Sequence, residues 1–143
     1  MVRIPVRALA LFILLFSACT NRTTPQTAIE VFGIQVSVSD GAYNDVSVAE
    51  LQTMLADKDF TFVNVHIPYE GNIAGTDLSI PFDQIEQNID KLPDRDAKIV
   101  LYCRSGRMSA IAAETLVGLG FSNIWNLAGG MLAWEQAGLE IEH

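Results

Sequence analysis

Cysteine and histidine are scarce in this sequence. Its 143 residues include only two of each, Cys19 and Cys103, and His66 and His143. Two cysteines cannot form the framework of several disulfides that stabilises small secreted domains. No group of Cys, His, Asp and Glu has the spacing of metal ligands, so the sequence predicts no metal site.

Basic residues are also few. The chain has nine Lys and Arg and seventeen Asp and Glu, which gives a net charge of −8. Binding to nucleic acid depends on a basic surface, so no nucleic-acid partner is expected. Half of the residues are apolar and only 18% are charged. This composition favours one globular domain with a core over a disordered chain.

The apolar run Ala8–Phe16 is too short for a membrane span, which needs about 20 residues. Arg3 and Arg7 precede it, and the small residues Ser17 and Ala18 follow. This is the layout of a signal peptide, predicted here over residues 1–18. Its removal would leave seven basic and seventeen acidic residues, a net charge of −10.

The segment Phe16-Ser17-Ala18-Cys19 resembles a bacterial lipobox, although Leu is commoner than Phe at its first position. The resemblance implies that Cys19 is lipidated and becomes the mature N-terminus. Residues 19–33 would then form a polar tether for an exported lipoprotein, anchored to a membrane and facing the periplasm or the cell exterior. The alternative is a plain signal peptide or uncleaved anchor, in which Cys19 has no role.

Residues 34–143 have the pattern of an α/β domain. Five short apolar or alternating stretches, 34–38, 60–65, 78–81, 98–102 and 124–127, predict strands. A capping-box spacing at Ser47 and Glu50 begins a predicted helix, and the pair Ile85 and Ile89 predicts another that ends before Pro93. Strands that alternate with helices indicate a mainly parallel sheet, in which ligands bind at the carboxyl ends of the strands.

Cys103 lies at such a strand end. The run Ile99–Tyr102 predicts a buried strand, and a helical pattern follows Gly106 and ends at Gly120. The first N–H groups of a helix lack helical partners and carry partial positive charge, which suits an anion. Arg104 and Arg107 add positive charge that favours the reactive thiolate. A nucleophile and an anion-binding loop are therefore predicted to coincide here.

The segment Cys103-Arg104-Ser105-Gly106-Arg107-Met108-Ser109 resembles the active-site loop of the rhodanese (sulfurtransferase) family. The resemblance extends from about Tyr43 to Trp134 and includes a closing segment, Gly129-Gly130-Met131-Leu132-Ala133-Trp134. It implies a single rhodanese-like domain with a mainly parallel central sheet of about five strands flanked by helices.

The same resemblance implies a sulfurtransferase. Cys103 would take a sulfane sulfur from thiosulfate or a persulfide donor and pass it, through a Cys103 persulfide, to a thiol or to cyanide. The substrate-binding residues would be those of the loop: Arg104, Ser105, Gly106, Arg107, Met108 and Ser109. Of the two arginines, Arg107 is expected at the mouth of the pocket and Arg104 in a partly structural role. No cofactor is implied, and a monomer is expected.

Three ionisable residues of the family pattern, which commonly reads Asp-Val-Arg and then Gly-His-Ile-Pro-Gly-Ala, are replaced in this chain. Asn64 stands for the Asp, His66 for the Arg and Asn72 for the His. A charged pair that is common near the site is thereby lost. His66 is interpreted as a loop or core histidine with a satisfied hydrogen bond, the alternative being a proton donor in the pocket.

Two other functions compete. Phosphatases and arsenate reductases of the related Cys-loop type need His before the Cys and Arg six residues after it, where this chain has Tyr102 and Ser109. The chain therefore lacks the residue that would clamp a phosphate. The stronger alternative is a non-catalytic rhodanese-like module at the cell envelope that binds a partner or senses redox state through Cys103.

Overall fold

The computed structural model describes residues 32–143. The predicted signal peptide, the lipidation site Cys19 and nearly all of the tether lie outside the described residues and remain predictions. Within residues 32–143, no helix is both long enough and apolar enough to cross a bilayer.

Six strands, three α-helices and two short 3₁₀ helices make up the described chain. The strands are β1 (Ile34–Val38), β2 (Gly41–Val46), β3 (Thr61–Asn64), β4 (Leu78–Ser79), β5 (Ile99–Tyr102) and β6 (Ile124–Leu127). The α-helices are α1 (Val48–Ala56), α2 (Arg107–Gly118) and α3 (Gly130–Gln136). The 3₁₀ helices cover Phe82–Gln84 and Glu86–Lys91.

The strands form one sheet in the order β1-β2-β6-β5-β3-β4. Only the β1–β2 hairpin is antiparallel, and every other pairing is parallel. The prediction of an α/β domain with a mainly parallel sheet is confirmed, with six strands in place of about five. The strand predicted at 34–38 is β1, an edge strand that pairs with β2 through a tight turn.

The helix predicted from Ile85 and Ile89 is wrong in type. The chain forms two 3₁₀ segments over residues 82–84 and 86–91, and Asn88 inside the second has a non-helical φ of −120°. The side chain of Asn88 donates a hydrogen bond to the carbonyl of Gln84, which competes with regular helix geometry. Ile85 is still buried, because one tight turn suffices to bring it against the sheet.

The sheet separates two apolar clusters. The first, which contains Val63, Leu101 and Leu116, lies on the side of α2 and the 3₁₀ helices. The second contains Leu51, Phe62 and Trp134 and lies on the side of α1 and α3. Strand β5 is buried along its whole length between β6 and β3. Its carboxyl end therefore opens in the middle of the sheet, covered by helices on both faces.

Glu50 joins the start of the described chain to α1. One carboxylate oxygen accepts the N–H of Gly33 at 2.8 Å, and the other accepts the N–H of Ser47 at 2.8 Å. Ser47 in turn caps the N–H of Glu50, so the predicted capping box is present. These bonds, from Gly33 first and then from Ser47, hold the pKa of Glu50 below its ordinary value of 4.5.

We expect Glu50→Gln to destabilise the fold only above about pH 4.5, by about 0.5–1 kcal/mol. A carboxyl whose folded pKa is lowered stabilises the protein above its unfolded pKa, and this contribution is lost as the pH falls through the folded pKa. Thermal unfolding of both proteins between pH 3 and pH 7 measures it. A difference in Tm that stays constant over this range would contradict the assignment.

Candidate active site

Cys103 follows β5 directly and occupies the turn that leads into α2. Tyr102 and Cys103 point to opposite faces of the sheet, Tyr102 towards the cluster of α1 and α3 and Cys103 towards that of α2. The turn ends at Gly106, whose positive φ of 90° is rare for other residues. Gly106 thus turns the chain sharply enough for α2 to begin at the next residue.

The sulfur of Cys103 faces the beginning of α2. The backbone N–H of Gly106 lies 3.1 Å from Sγ, and the hydroxyl of Ser109 lies 3.5 Å from it. The N–H is a donor, and the one hydroxyl proton of Ser109 can point to Sγ or to the Gly106 carbonyl 3.1 Å away, so Sγ is placed as an acceptor, the role that suits a thiolate. Cys103 is only 1% exposed and Ser109 is fully buried. The sulfur therefore lies at the base of the loop rather than on the surface.

The loop is braced by the closing Gly-Gly segment. The N–H groups of Met131 and Leu132 donate to the carbonyls of Cys103 and Arg104, each at 2.9 Å. A Cβ at Gly130 would lie 2.2 Å from the Cys103 carbonyl oxygen. The close approach of α3 to the loop explains why a glycine is needed there. The family resemblance includes both the loop and the closing segment, but the sequence alone did not predict that they are in contact.

The two arginines of the loop differ in their surroundings. Nη1 of Arg104 lies 2.9 Å from Oε2 of Glu70, and both side chains are about half exposed. Arg107 is exposed and makes no salt bridge with any of the residues 32–143. Met108 is partly buried against the cluster that contains Cys103, and Ser105 is exposed. Only one of the two cations is therefore unpaired.

Glu70 is a site residue that the sequence reasoning missed. Its Oε2 also lies 3.2 Å from Nε2 of His66, whose side chain is only 8% exposed. Nδ1 of His66 is buried and has no hydrogen-bond partner. The interpretation of His66 as a fully satisfied histidine therefore holds for one ring nitrogen and not for the other. The i, i+4 spacing of His66 and Glu70 was the sequence signal that could have identified this contact.

Asparagine amides stand where the family commonly has Asp and His. Nδ2 of Asn64 donates to the carbonyl of Gly71 at 2.9 Å and to Oδ1 of Asn72 at 3.0 Å. Oδ1 of Asn64 accepts the N–H of His66 at 2.9 Å. The neutral pair therefore fixes both ends of the segment that carries Glu70.

Tyr102 extends this polar network below the loop. Its hydroxyl accepts the N–H of Ile73 at 3.0 Å and lies 2.7 Å from Oγ1 of Thr76. Burial raises the pKa of the Tyr102 hydroxyl, so the group stays neutral and can donate. Cys-loop phosphatases carry His at this position, and here the side chain is committed to holding the neighbouring loop. No cluster of three or more Cys, His, Asp or Glu among residues 32–143 is arranged to hold a metal ion.

Comparison with known proteins agrees with this geometry. The model of the "Rhodanese-like domain" family matches residues 47–137. A sulfurtransferase of Allochromatium vinosum is 34% identical over 102 residues, which cover 68% of this chain and 94% of that protein. A crystal structure of a rhodanese-like domain protein from Staphylococcus aureus is 31% identical, with a TM-score of 0.59. The match covers 69% of this chain and 98% of that one.

A tRNA uridine(34) hydroxylase of Citrobacter koseri is 29% identical over 102 residues. These cover 66% of this chain but only 29% of the hydroxylase, so the likeness is confined to one part of that protein. The family match instead spans the strands and helices that build the loop around Cys103, from α1 to α3. This chain belongs to the rhodanese-like domain family.

Proposed function

We propose that this protein is a sulfurtransferase that carries sulfane sulfur on Cys103. The position of Sγ carries the proposal, since it lies 3.1 Å from the N–H of Gly106, immediately before the first residue of α2. The N–H groups of the first turn of α2 have no helical acceptor. They and the helix dipole favour negative charge on a sulfur at this place. The similarity to a sulfurtransferase, which covers 94% of that protein, supports the same function.

The reaction needs two displacements at sulfur. The Cys103 thiolate attacks the outer sulfur of the donor, the donor's S–S bond breaks, and the leaving group departs with the electron pair. With thiosulfate the leaving group is sulfite, and with a persulfide it is a thiolate. An acceptor thiolate or cyanide then attacks the terminal sulfur of the Cys103 persulfide and releases the Cys103 thiolate. Each step conserves charge, and neither requires an external oxidant or cofactor.

The loop around Cys103 is suited to stabilise the persulfide and to attract the donor. A persulfide adds one sulfur atom beyond Sγ, and its terminal sulfur carries negative charge. Gly106 N–H and the unpaired N–H groups at the start of α2 are suited to stabilise that charge. Arg107 is the exposed cation nearest in sequence to this helix start and is suited to attract an anionic donor. Met108 has no hydrogen-bond donor and contributes shape to the pocket.

Intact mass spectrometry of the purified protein tests the proposal. After incubation with thiosulfate or an organic persulfide, we expect one added sulfur atom, which dithiothreitol or cyanide removes. Cys103→Ser should gain none, although it retains Cys19. If the wild type gains no sulfur from any sulfane donor, the function is instead that of a binding or redox-sensing module.

A further inference from the structure

The structure changes the charge expected at the mouth of the loop. The sequence places two cations beside Cys103, but Arg104 is paired with Glu70 at 2.9 Å. Of these two, only Arg107 is left without an opposite charge among the described residues. A donor that approaches the sulfur therefore meets one net positive charge, not two.

Contacts of its side chain and of its loop segment hold Glu70 in position beside Arg104. The oxygen that accepts Arg104 also contacts the nearly buried ring of His66, at 3.2 Å. The segment around Glu70 is fixed by Asn64 on one side and, on the other, by Asn72, which exchanges two backbone hydrogen bonds with Glu142 at 2.8 and 2.7 Å. A carboxylate fixed in this way keeps neutralising Arg104 while a donor binds.

Two exposed apolar residues adjoin the backbone of this ion pair. Tyr69, which precedes Glu70, is 59% exposed. Leu132 is 37% exposed, and its N–H donates to the carbonyl of Arg104. Exposed apolar side chains contribute nothing to the binding of an inorganic dianion, but they can contact the organic group of a larger donor.

We infer that Glu70 determines the class of sulfur donor, and that the site prefers a singly charged organic donor, R–S–S⁻ or R–SO₂–S⁻, to the thiosulfate dianion. The inference rests on the proposed function and names its substrate class. With a thiosulfonate, the Cys103 thiolate attacks the outer sulfur, a sulfinate leaves with the S–S electron pair, and Cys103 carries the persulfide anion. Two negative charges enter this step and two leave it.

A matched set of donors isolates the effect of charge. Methanethiosulfonate has the sulfane sulfur of thiosulfate but one negative charge fewer, and benzenethiosulfonate adds an aromatic group. For the wild type we expect kcat/KM to rise from thiosulfate to methanethiosulfonate to benzenethiosulfonate. Glu70→Gln should raise kcat/KM for thiosulfate about three- to tenfold, mainly through KM, and should change the methanethiosulfonate value less. The gain should shrink as salt is added.

Two further variants separate charge from structure. Arg104→Gln leaves Glu70 unpaired and should lower thiosulfate use, whereas Glu70→Gln/Arg104→Gln should return close to the wild-type ratio of the two donors. Glu114→Gln makes the same change of charge at an exposed position seven residues beyond Arg107 on α2, and should leave the ratio unchanged.

The outcomes distinguish the inference from the proposed function. If the wild type prefers thiosulfate, or if Glu70→Gln alters every donor equally, the assignment of Glu70 is overturned while the sulfurtransferase function stands. If no donor transfers sulfur to the wild type or to any variant, the proposed function itself fails.

Discussion

Gly130→Ala is expected to unfold the protein at much lower urea concentration than the wild type and to abolish sulfur uptake. The added Cβ would lie 2.2 Å from the Cys103 oxygen, 2.8 Å from the Arg104 carbonyl carbon and 2.9 Å from its oxygen. All three are backbone atoms, so no side chain can rotate away. Either the loop or α3 must move, and the two hydrogen bonds from Met131 and Leu132 are lost.

We expect a loss of about 3–5 kcal/mol in the free energy of unfolding, from two hydrogen bonds and a strained backbone. Gly130 also has a positive φ of 56°, so part of the loss is conformational. Gly138→Ala is the matched control, since Gly138 has a φ of 81° and no atom within 4 Å of an added Cβ. It should cost about 1 kcal/mol. Equal losses in the two variants would mean that the contact with the loop is unimportant.

Local sequence signals located most of the fold. Strand β6 was predicted with its observed ends, and β5 to within one residue, because short apolar runs beside turn residues report burial directly. Residues 82–91 were harder, because an apolar pair four residues apart has α-helical spacing and carries no signal of the side-chain bond by which Asn88 competes with a regular helix. The order of the strands in the sheet depends on long-range pairing, which local signals do not contain.

The candidate site likewise has a local part, which the sequence predicts, and a long-range part, which it does not. The chain runs directly from Cys103 through Gly106 to the first residue of α2, so the arrangement of these residues follows from the turn itself. The partners of the loop come from elsewhere: Glu70 is 34 residues before Arg104, and Gly130 is 26 residues after it. The family pattern drew attention to the closing glycines, whereas only the i, i+4 spacing from His66 pointed to Glu70. Its role depends on a contact between two loops at the carboxyl end of the sheet.

The second large effect is expected from Asn64→Asp, which restores the residue common in the family. In this protein the Asn64 side chain donates to the Gly71 carbonyl and to Oδ1 of Asn72, and it is only 2% exposed. A carboxylate would direct a negative oxygen at two acceptors with no donor between them. We expect the variant to lose about 2–4 kcal/mol of stability at pH 7.

The loss should depend on pH in a defined direction. Burial and the two acceptors that face one carboxylate oxygen raise the folded pKa of the introduced carboxyl above its unfolded value of about 3.9, although the other oxygen still accepts the N–H of His66. The folded state then binds a proton that the unfolded state has released, so stability falls as the pH rises from about 4 through the folded pKa. Urea unfolding should therefore show the variant closest to the wild type near pH 4. Gln87→Glu, the same amide-to-acid change at an exposed residue, should show no such trend.

Asn72→His in the Asn64→Asp background completes the test. An imidazole N–H can donate to the new carboxylate, where Oδ1 of Asn72 could only repel it. The double variant should therefore recover at least half of the lost stability at pH 7, although Asn72→His alone removes the acceptor of the Asn64 amide and should itself be destabilising. If the two losses simply add, the amides do not occupy the place of the family's Asp and His, and the segment that carries Glu70 is fixed in some other way.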